Sequence, residues 1–382
     1  GEANEVREVF RRIGSGAIRL DEVELLHTDV DTYVSLVYET VTSTLPEEPT
    51  SHEDLPVTFA DGIPARFFRP GRLLGAWSKW ICEDFPQTRL VDMVREGLLT
   101  SPELDEQRFS FSRLAGVLRG IGIGFAKGRY LPKLDEEIAG LQRRLAELSE
   151  NEDDDSDKRC QWYTRRLEEV QALRHLVATV LDVSPRFGSS QEAILNAAGQ
   201  MLETVARTTN KSDNFARQRL TEDIGELKAS VADSNDPASM DVWTWLSQLP
   251  QESRVLGSGP RPGCLHVAGL LSGGHSSRKH TYIVGLDDSR FPGAGSQDPL
   301  LLDWERATLS KDLPTASSRL EDRVADFFRL LTRLRGTLTL SFASRDLSDD
   351  REKFPCALLL TAYRVVSGNR EGSQEDFFRW LG

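Results

Sequence analysis

The chain of 382 residues is 39% hydrophobic, which is enough apolar content for a packed core, and its length favours two domains over one. Its net charge of −13 argues against a protein whose entire surface binds nucleic acid. No run approaches the roughly 18 apolar residues that cross a bilayer, and the first residues lack the basic and apolar regions of a secretory signal. Composition therefore predicts a soluble globular protein rather than a membrane or secreted one.

The four cysteines are spread along the chain: Cys82, Cys160, Cys264 and Cys356. No C-x-x-C pair is present, so we expect a protein of the reducing cytoplasm, without the clustered thiolates of a zinc ribbon or an iron–sulfur cluster. His266, His275 and His280 follow Cys264 at irregular intervals. The sequence therefore predicts no metal site.

The first 70 residues alternate between the periods of helices and strands. Helical spacing of apolar residues is found in two segments: residues 5–13 and 31–41. Strand-like runs are found in three: residues 23–26, 55–59 and 65–68. The last two flank a turn at residues 61–64 (DGIP), and the alternation as a whole is typical of α/β architecture.

From about residue 70 to residue 256 the chain is predicted to be an all-helical block. Apolar residues recur at steps of three and four in eight segments: residues 73–81, 88–99, 111–119, 134–148, 161–181, 191–206, 214–231 and 242–249. Residues 150–157 (ENEDDDSD) carry six carboxylates between two of these helices. Such a charge run is predicted to form a solvated loop.

Residues 107–134 differ from the rest of the chain because they carry six basic residues and no acidic ones. Aromatic residues are interleaved with them: Phe109, Phe111, Phe125 and Tyr130. Cations neutralise phosphates and aromatic rings stack on bases, so the segment is predicted to bind DNA. The expected contacts are Arg108, Arg113, Arg119, Lys127, Arg129, Tyr130 and Lys133. In the alternative interpretation, the aromatic residues belong to the core and the arginines to a solvated face.

After residue 256 the α/β pattern resumes. Three segments have strand patterns: residues 264–268, 281–286 and 337–342. Residues 319–334 form an amphipathic helix whose core side is predicted to carry Val324, Phe327, Phe328, Leu331 and Leu334. We therefore predict an α/β fold class with one discontinuous domain, residues 1–70 and 257–382, interrupted by a helical insertion domain, residues 71–256.

The segment 319–342 (RLEDRVADFFRLLTRLRGTLTLSF) combines an amphipathic helix, the residues Leu331-Thr332-Arg333-Leu334, and an alternating strand. This order resembles motif VI of superfamily 1 helicases of the UvrD/AddB type. The resemblance implies that Arg333 is the arginine that reaches across a cleft between two RecA-like domains to the γ-phosphate of ATP. A planar guanidinium suits that role because its fork neutralises charge on phosphate oxygens. In the alternative interpretation, Arg333 is a solvated arginine at the end of a core helix.

Two further blocks carry the same resemblance. Residues 282–286 (YIVGL), two acids and Phe291-Pro292 resemble the strand after motif V, whereas SGGHSS at residues 272–277 stands in place of the family's H-x-x-K-G-L-E core. Residues 61–64 (DGIP) fit a G-I-P element, but the strand ending at His27 lacks the motif IV arginine. The resemblance implies a RecA-like second helicase domain (2A) with a 2B-like insertion.

The degenerate motifs resemble most closely the AddB/RexB-like branch, in which a helicase scaffold has lost motor motifs and carries a PD-(D/E)xK nuclease. The chain is thus expected to be a fragment of a longer protein, a DNA-binding and scaffolding part of a DNA-repair helicase–nuclease for double-strand-break processing and recombination. Because no G-x-x-x-x-G-K-[ST] motif occurs, we expect no ATP hydrolysis by the chain alone. Glu226-Leu227-Lys228 has nuclease-like E-x-K form, but its helical pattern argues against a nuclease core.

The resemblance also implies cofactors and partners. ATP and Mg²⁺ are implied for the longer protein, and none for this fragment. The implied partners are single-stranded DNA or a duplex end, an N-terminal RecA-like domain, a C-terminal nuclease and a partner helicase subunit. Two alternatives stay open: the C-terminal half of an active UvrD/PcrA-like helicase, and a protein-interaction module that docks a partner helicase subunit.

Overall fold

The computed structural model describes residues 1–46, 52–102, 104, 108–149, 156–233, 241–293, 295, 297–346 and 350–381. The chain divides into two compact units, one of Gly1–Ile63 with Leu256–Gly382 and the other of Pro64–Val255. The second unit is therefore inserted in sequence within the first. Most of the acidic run, residues 150–155, lies outside the described residues.

The strands, in chain order, are β1 (Val23–His27), β2 (Val57–Phe59), β3 (Ile63–Pro64), β4 (Arg254–Val255), β5 (Leu265–Gly269), β6 (His280–Val284), β7 (Thr337–Leu340), β8 (Arg345–Asp346) and β9 (Arg351–Glu352). The α-helices are α1 (Glu2–Ser15), α2 (Val30–Thr44), α3 (Arg69–Cys82), α4 (Gln87–Arg95), α5 (Phe111–Gly120), α6 (Tyr130–Ser149), α7 (Ser156–Val183), α8 (Gln191–Thr204), α9 (Lys211–Asp233), α10 (Val242–Glu252), α11 (Asp303–Leu309), α12 (Ala316–Arg333), α13 (Ala357–Ser367) and α14 (Gln374–Leu381).

The first unit is built on a five-stranded sheet in the order β2-β5-β1-β6-β7. All four neighbouring pairs are parallel; for example, Leu25 of the central strand β1 lies between Val267 and Tyr282. A parallel sheet is covered on both faces, which explains why every residue of β1 is buried. The α/β class predicted from the sequence is confirmed.

The two faces of this sheet are covered by different helices. On one face, Tyr38 of α2 packs against Phe59, with ring centroids 6.5 Å apart. On the other, the apolar side of α12 packs through Phe327 and Leu330 against a cluster that includes Leu26 and Ile283. Successive strand side chains point to opposite faces, so α2 and α12 contact alternate residues of the strands.

Two details of the predicted α/β unit are wrong. Residues 65–68 are not a strand, because Ala65–Phe67 forms a 3₁₀ turn that leads into α3. Phe328, predicted to lie on the core side of α12, is 51% exposed, whereas Leu330 is buried. The side chain of Phe328 leaves the narrow stripe defined by Phe327 and Leu330, because neighbouring positions on a helix differ by about 100°.

The second unit contains α3 to α10 and has its own core, in which the largest side chains are Trp77, Trp80 and Tyr130. Helices α6 and α7 form an antiparallel hairpin, joined by the Arg174–Asp135 pair at 2.7 Å and by the Arg144 guanidinium lying 6.0 Å from the Tyr163 ring centroid. Within the described ranges, every helix is too short or too polar to cross a membrane.

Candidate functional site

The chain after β5 crosses the α12-facing side of the sheet before it enters β6. A Cβ atom added to Gly274 in this crossing, residues 270–279, would lie 2.6 Å from Leu330 Cδ1. Its φ of +80° also favours glycine, because L side chains rarely adopt this region. Gly274 therefore allows the crossing to lie tightly between the sheet and the C-terminal end of α12.

Arg333, in the segment that resembles motif VI, meets His275, in the segment that stands in place of the motif V core, at this point. Arg333 is the last residue of α12, and its Nη1 lies 3.2 Å from Nε2 of His275 in the crossing. Both side chains are exposed. Among the described residues, no carboxylate forms an ion pair with Arg333. The guanidinium is therefore available to an anionic ligand.

A cavity of about 490 Å³ lies beside this pair. Its lining residues come from two strands and three loops: Glu24, Ala60, Gly257, Ser258, Gly259, Pro260, His266, Ser272, His275 and Ser276. Glu24 and His266 are neighbours in the sheet register and both are buried. The Gly274 amide donates to Glu24 Oε1 at 3.2 Å, so the buried carboxylate of Glu24 holds the crossing against strand β1.

His266 is a neutral polar group in the floor of this cavity. Burial and the nearby Arg278 guanidinium lower the pKa of His266 to about 4, although Asp61 opposes them. Its Nδ1 lies 2.9 Å from Thr58 Oγ1, which orients the ring. At neutral pH the ring therefore carries no charge with which to attract a phosphate, and Arg333 is the cation at this place.

Arg278 holds the far end of the crossing and was not singled out in the sequence. Its guanidinium is buried and donates to the carbonyl oxygens of Val23 at 2.8 Å and Cys264 at 2.6 Å, at the start of β1 and just before β5. Burial lowers the pKa of Arg278. Its partners lie far away in the sequence, so no local pattern could reveal it.

The carboxyl ends of the strands contain a second polar cluster, whose cations are already paired. Arg290 Nη1 contacts Glu2 Oε1 at 2.8 Å and the fully buried Asp287 Oδ2 at 2.9 Å. Lys353 Nζ lies 2.6 Å from the same Glu2 oxygen. Burial opposes ionisation of Glu2, but hydrogen bonds from Lys353 and Arg290 outweigh it and lower the pKa of Glu2 to about 2. This internal network serves stability rather than ligand binding.

The three histidines considered as metal ligands have different partners. His266 faces Thr58, His275 faces Arg333, and His280 Nδ1 lies 2.7 Å from Thr337 Oγ1. Within the described residues, no group of three His, Cys, Asp or Glu side chains could hold a metal ion.

The predicted DNA-binding residues of the segment 107–134 form two groups, those with a polar partner within the chain and those without a carboxylate partner. Arg108 contacts Glu168 at 2.6 Å, Arg113 pairs with Glu169, and Lys133 contacts Glu136 at 2.6 Å. Lys127 donates to the Ser184 carbonyl at 2.5 Å. Arg119 and Arg129 have no carboxylate partner within the part of the chain that the structure describes. Internal pairing thus reduces the positive charge that most of this segment offers to DNA.

Tyr130 needs a correction, because its ring is fully buried and cannot stack on a base. Its hydroxyl donates to the Phe85 carbonyl at 2.7 Å and accepts from Trp80 Nε1 at 3.3 Å. Burial raises the pKa of Tyr130. The aromatic residue therefore belongs to the core, as in the alternative interpretation of this segment.

Replacing Tyr130 with phenylalanine is expected to lower the free energy of unfolding by about 1–3 kcal/mol, because the Trp80 indole N–H loses its buried acceptor. DNA affinity is expected to stay unchanged. Urea unfolding and fluorescence anisotropy with a labelled oligonucleotide measure the two quantities. A variant of unaltered stability with weakened DNA binding would contradict the assignment of Tyr130 to the core.

The chain matches no protein-family model, and no curated protein sequence is significantly similar to it.

Proposed function

We propose that the chain is a DNA-binding and scaffolding part of a helicase–nuclease of DNA repair, and that its α/β unit is a RecA-like second helicase domain with a 2B-like insertion. The parallel five-stranded sheet, covered on both faces, is compatible with that fold. The helical unit lies in the sequence where a 2B insertion is expected.

The observation that carries the proposal is the contact between Arg333 and His275, 58 residues apart. Arg333 carries the resemblance to motif VI, and His275 lies in SGGHSS (residues 272–277), which stands in place of the motif V core ahead of the YIVGL strand. The motif VI-like arginine and the segment at the position of motif V are therefore neighbours in this chain. That agreement supports the proposal beyond the likeness of either block alone.

ATP fits this chain only in part. Arg333 can contact a phosphate, but the cavity beside it has the carboxylate of Glu24 in its floor and a neutral His266. The sequence supplies no P-loop lysine to hold the β- and γ-phosphates. These donors do not hold a triphosphate by themselves, so the proposed role of the chain is to bind and position DNA.

The proposal is tested by measuring binding of a fluorescent single-stranded oligonucleotide to the whole chain, with and without ATP and Mg²⁺. We expect binding at low salt that does not depend on ATP, together with no release of phosphate. Absence of DNA binding at low salt would overturn the proposed role. Phosphate release that is lost on Arg333→Ala, but kept in the neighbouring Arg335→Ala control, would favour an active motor instead.

A further inference from the structure

One long face of α7 changes character along the helix. Positions three and four residues apart share a helix face, and near the C-terminal end this face carries the buried residues Leu173, Val177 and Val180. The same spacing continued towards the N-terminal end gives four residues of another kind: Lys158, Trp162, Arg165 and Arg166. An apolar, buried stripe thus becomes a basic stripe with an aromatic residue in it.

Trp162 is the unusual member of this stripe, because 56% of its surface is exposed. Its ring meets the Tyr163 ring edge-on, with centroids 4.9 Å apart. The second ring is in turn covered by the guanidinium of Arg144 from α6. A large exposed ring beside cations is poorly placed for packing within the chain and well placed for stacking on a base.

The cations of this region are only partly neutralised. Glu168 and Glu169 pair with Arg108 and Arg113 on the preceding segment, and Glu169 also lies 3.6 Å from Arg165. Within the described residues, none of the remaining cations of the stripe has a carboxylate partner: Lys158, Arg159 and Arg166. Among the described residues, no carboxylate pairs with these three cations, which distinguishes the outer part of α7 from most of the segment 107–134.

A groove continues this surface towards α5. It encloses about 540 Å³ and is lined by Arg108 and Phe109 on one side and by Cys160, Gln161, Thr164, Arg165 and Glu168 of α7 on the other. The Arg108 guanidinium lies 5.5 Å from the Phe109 ring centroid. The stacked Arg108 and Phe109 lie next to the exposed Trp162 on the adjoining turn of α7. Both places therefore offer a cation for a phosphate and an aromatic ring for a base.

We propose that the outer face of α7, defined by Lys158, Arg159, Trp162, Arg165 and Arg166, binds one strand of single-stranded DNA. The cations contact phosphates, Trp162 stacks on a base, and the groove at Arg108 receives the next part of the strand. Single-stranded DNA is required because each base inside a duplex is stacked between its neighbours and has no free face for the ring. The assignment rests on the proposed function for the choice of DNA as ligand.

Three variants test the tryptophan contact by anisotropy with a labelled single-stranded oligonucleotide. Trp162→Ala is expected to weaken binding about 10-fold, and Trp162→Phe much less, because phenylalanine still stacks. Trp304→Ala, at a tryptophan 66% exposed on α11, is the matched control and is expected to bind as the unchanged chain does. Equal affinities of the Trp162→Ala variant and the control would overturn the proposal. An equal loss for closed circular duplex DNA would also overturn it, because the stacked bases of a duplex without ends have no free face for the ring.

The charges are tested through the salt dependence of binding. Removing Lys158 and Arg159 together is expected to reduce the slope of log K against log salt by about 0.7 for each phosphate that the protein no longer neutralises. Lys228→Ala, at an exposed position of α9, is the control. Neutralising the six carboxylates of residues 150–157, which directly precede this face in the sequence, is expected to tighten binding. Unchanged slopes and affinities in these variants would count against the face.

The two proposals fail in different ways. If the unchanged chain does not bind single-stranded DNA at all, the proposed function fails. If it binds and the variants at Lys158, Arg159 and Trp162 bind equally well, the proposed function survives and the DNA-binding face lies elsewhere.

Discussion

Replacing Arg290 with methionine is expected to lower the free energy of unfolding by about 3–5 kcal/mol, because the change leaves the buried carboxylate of Asp287 without its cation. The guanidinium of Arg290 contacts both Glu2 and Asp287, and Asp287 has no exposed surface. Burial opposes the charge on Arg290, but the hydrogen bonds to Glu2 and Asp287 outweigh it and raise the pKa of Arg290. Chemical unfolding followed by circular dichroism measures the loss.

One control variant makes this result specific. Arg379→Met removes an exposed arginine whose distance to Glu375 is 3.6 Å, and we expect the free energy of unfolding of this variant to differ by less than about 0.5 kcal/mol from that of the unchanged chain.

The network also predicts a pH dependence of stability. The pKa of Glu2 is about 2 when folded and 4.5 when unperturbed, so its stabilisation is complete above pH 4.5 and is lost as the pH falls towards 2. An Arg290→Met variant as stable as the unchanged chain would contradict this account of the network.

Replacing Gly285 with alanine is expected to destabilise the α/β unit by several kcal/mol, about 3 or more. Gly285 has a φ of +81°, and an added Cβ would lie 2.3 Å from Thr28 Oγ1 and 2.7 Å from the Tyr33 ring. The Gly285 amide also donates to the buried Glu5 at 3.1 Å, so the backbone cannot move away without breaking that bond. Neither the Tyr33 ring nor the backbone at Gly285 can move without a loss of stability.

Gly199→Ala is the matched control for this substitution. Gly199 lies within α8, and an added Cβ there meets nothing within 4 Å. We expect the control to gain about 1 kcal/mol, because alanine is the better helix former. Thermal unfolding of both variants gives opposite shifts in Tm. Shifts of the same sign and size would contradict the packing described around Gly285.

The parts of the fold that the sequence predicts well are those with a local signal. Strands β1, β5 and β6 are short, mainly apolar runs between turn residues, and a parallel sheet buried on both faces produces that pattern. Amphipathic helices such as α1 and α12 are equally clear. Alternation of these signals predicts the α/β class, but it does not predict the strand order, which depends on contacts between residues distant in the sequence.

The sequence predicts a residue of the candidate site only where its neighbours along the chain form a recognisable motif. Arg333 stands out because its neighbours in the sequence resemble a family block, whereas Arg278 donates to backbone carbonyls and Arg290 pairs with Glu2, 288 residues away. Tyr130 shows the opposite failure. Its position among basic residues favours a nucleic-acid contact, but packing against Trp80 places its ring in the core. A sequence pattern gives composition along a segment and does not give the side of the segment that faces inwards.

Trp162 shows why the candidate DNA-binding face differs from the predicted segment. In the sequence, residues 158–166 follow the strongly acidic residues 150–157. The negative charge of that run outweighs their positive charge, so no basic segment stands out there. In the structure, the carboxylates of Glu168 and Glu169 neutralise arginines of the predicted segment, whereas Lys158, Arg159 and Arg166 pair with no carboxylate among the described residues. Pairing in three dimensions, rather than the count of charges along the chain, decides which surface can attract a phosphate.

The affinity of the whole chain for single-stranded DNA, measured at several salt concentrations, tests the proposed DNA-binding role most directly. We expect log K to fall linearly with log salt, with a slope of about −0.7 for each phosphate neutralised, and we expect the Trp162→Ala variant to lie below the unchanged chain at every concentration. An affinity that does not depend on salt would contradict phosphate contacts. It would favour a protein-interaction module over a DNA-binding scaffold.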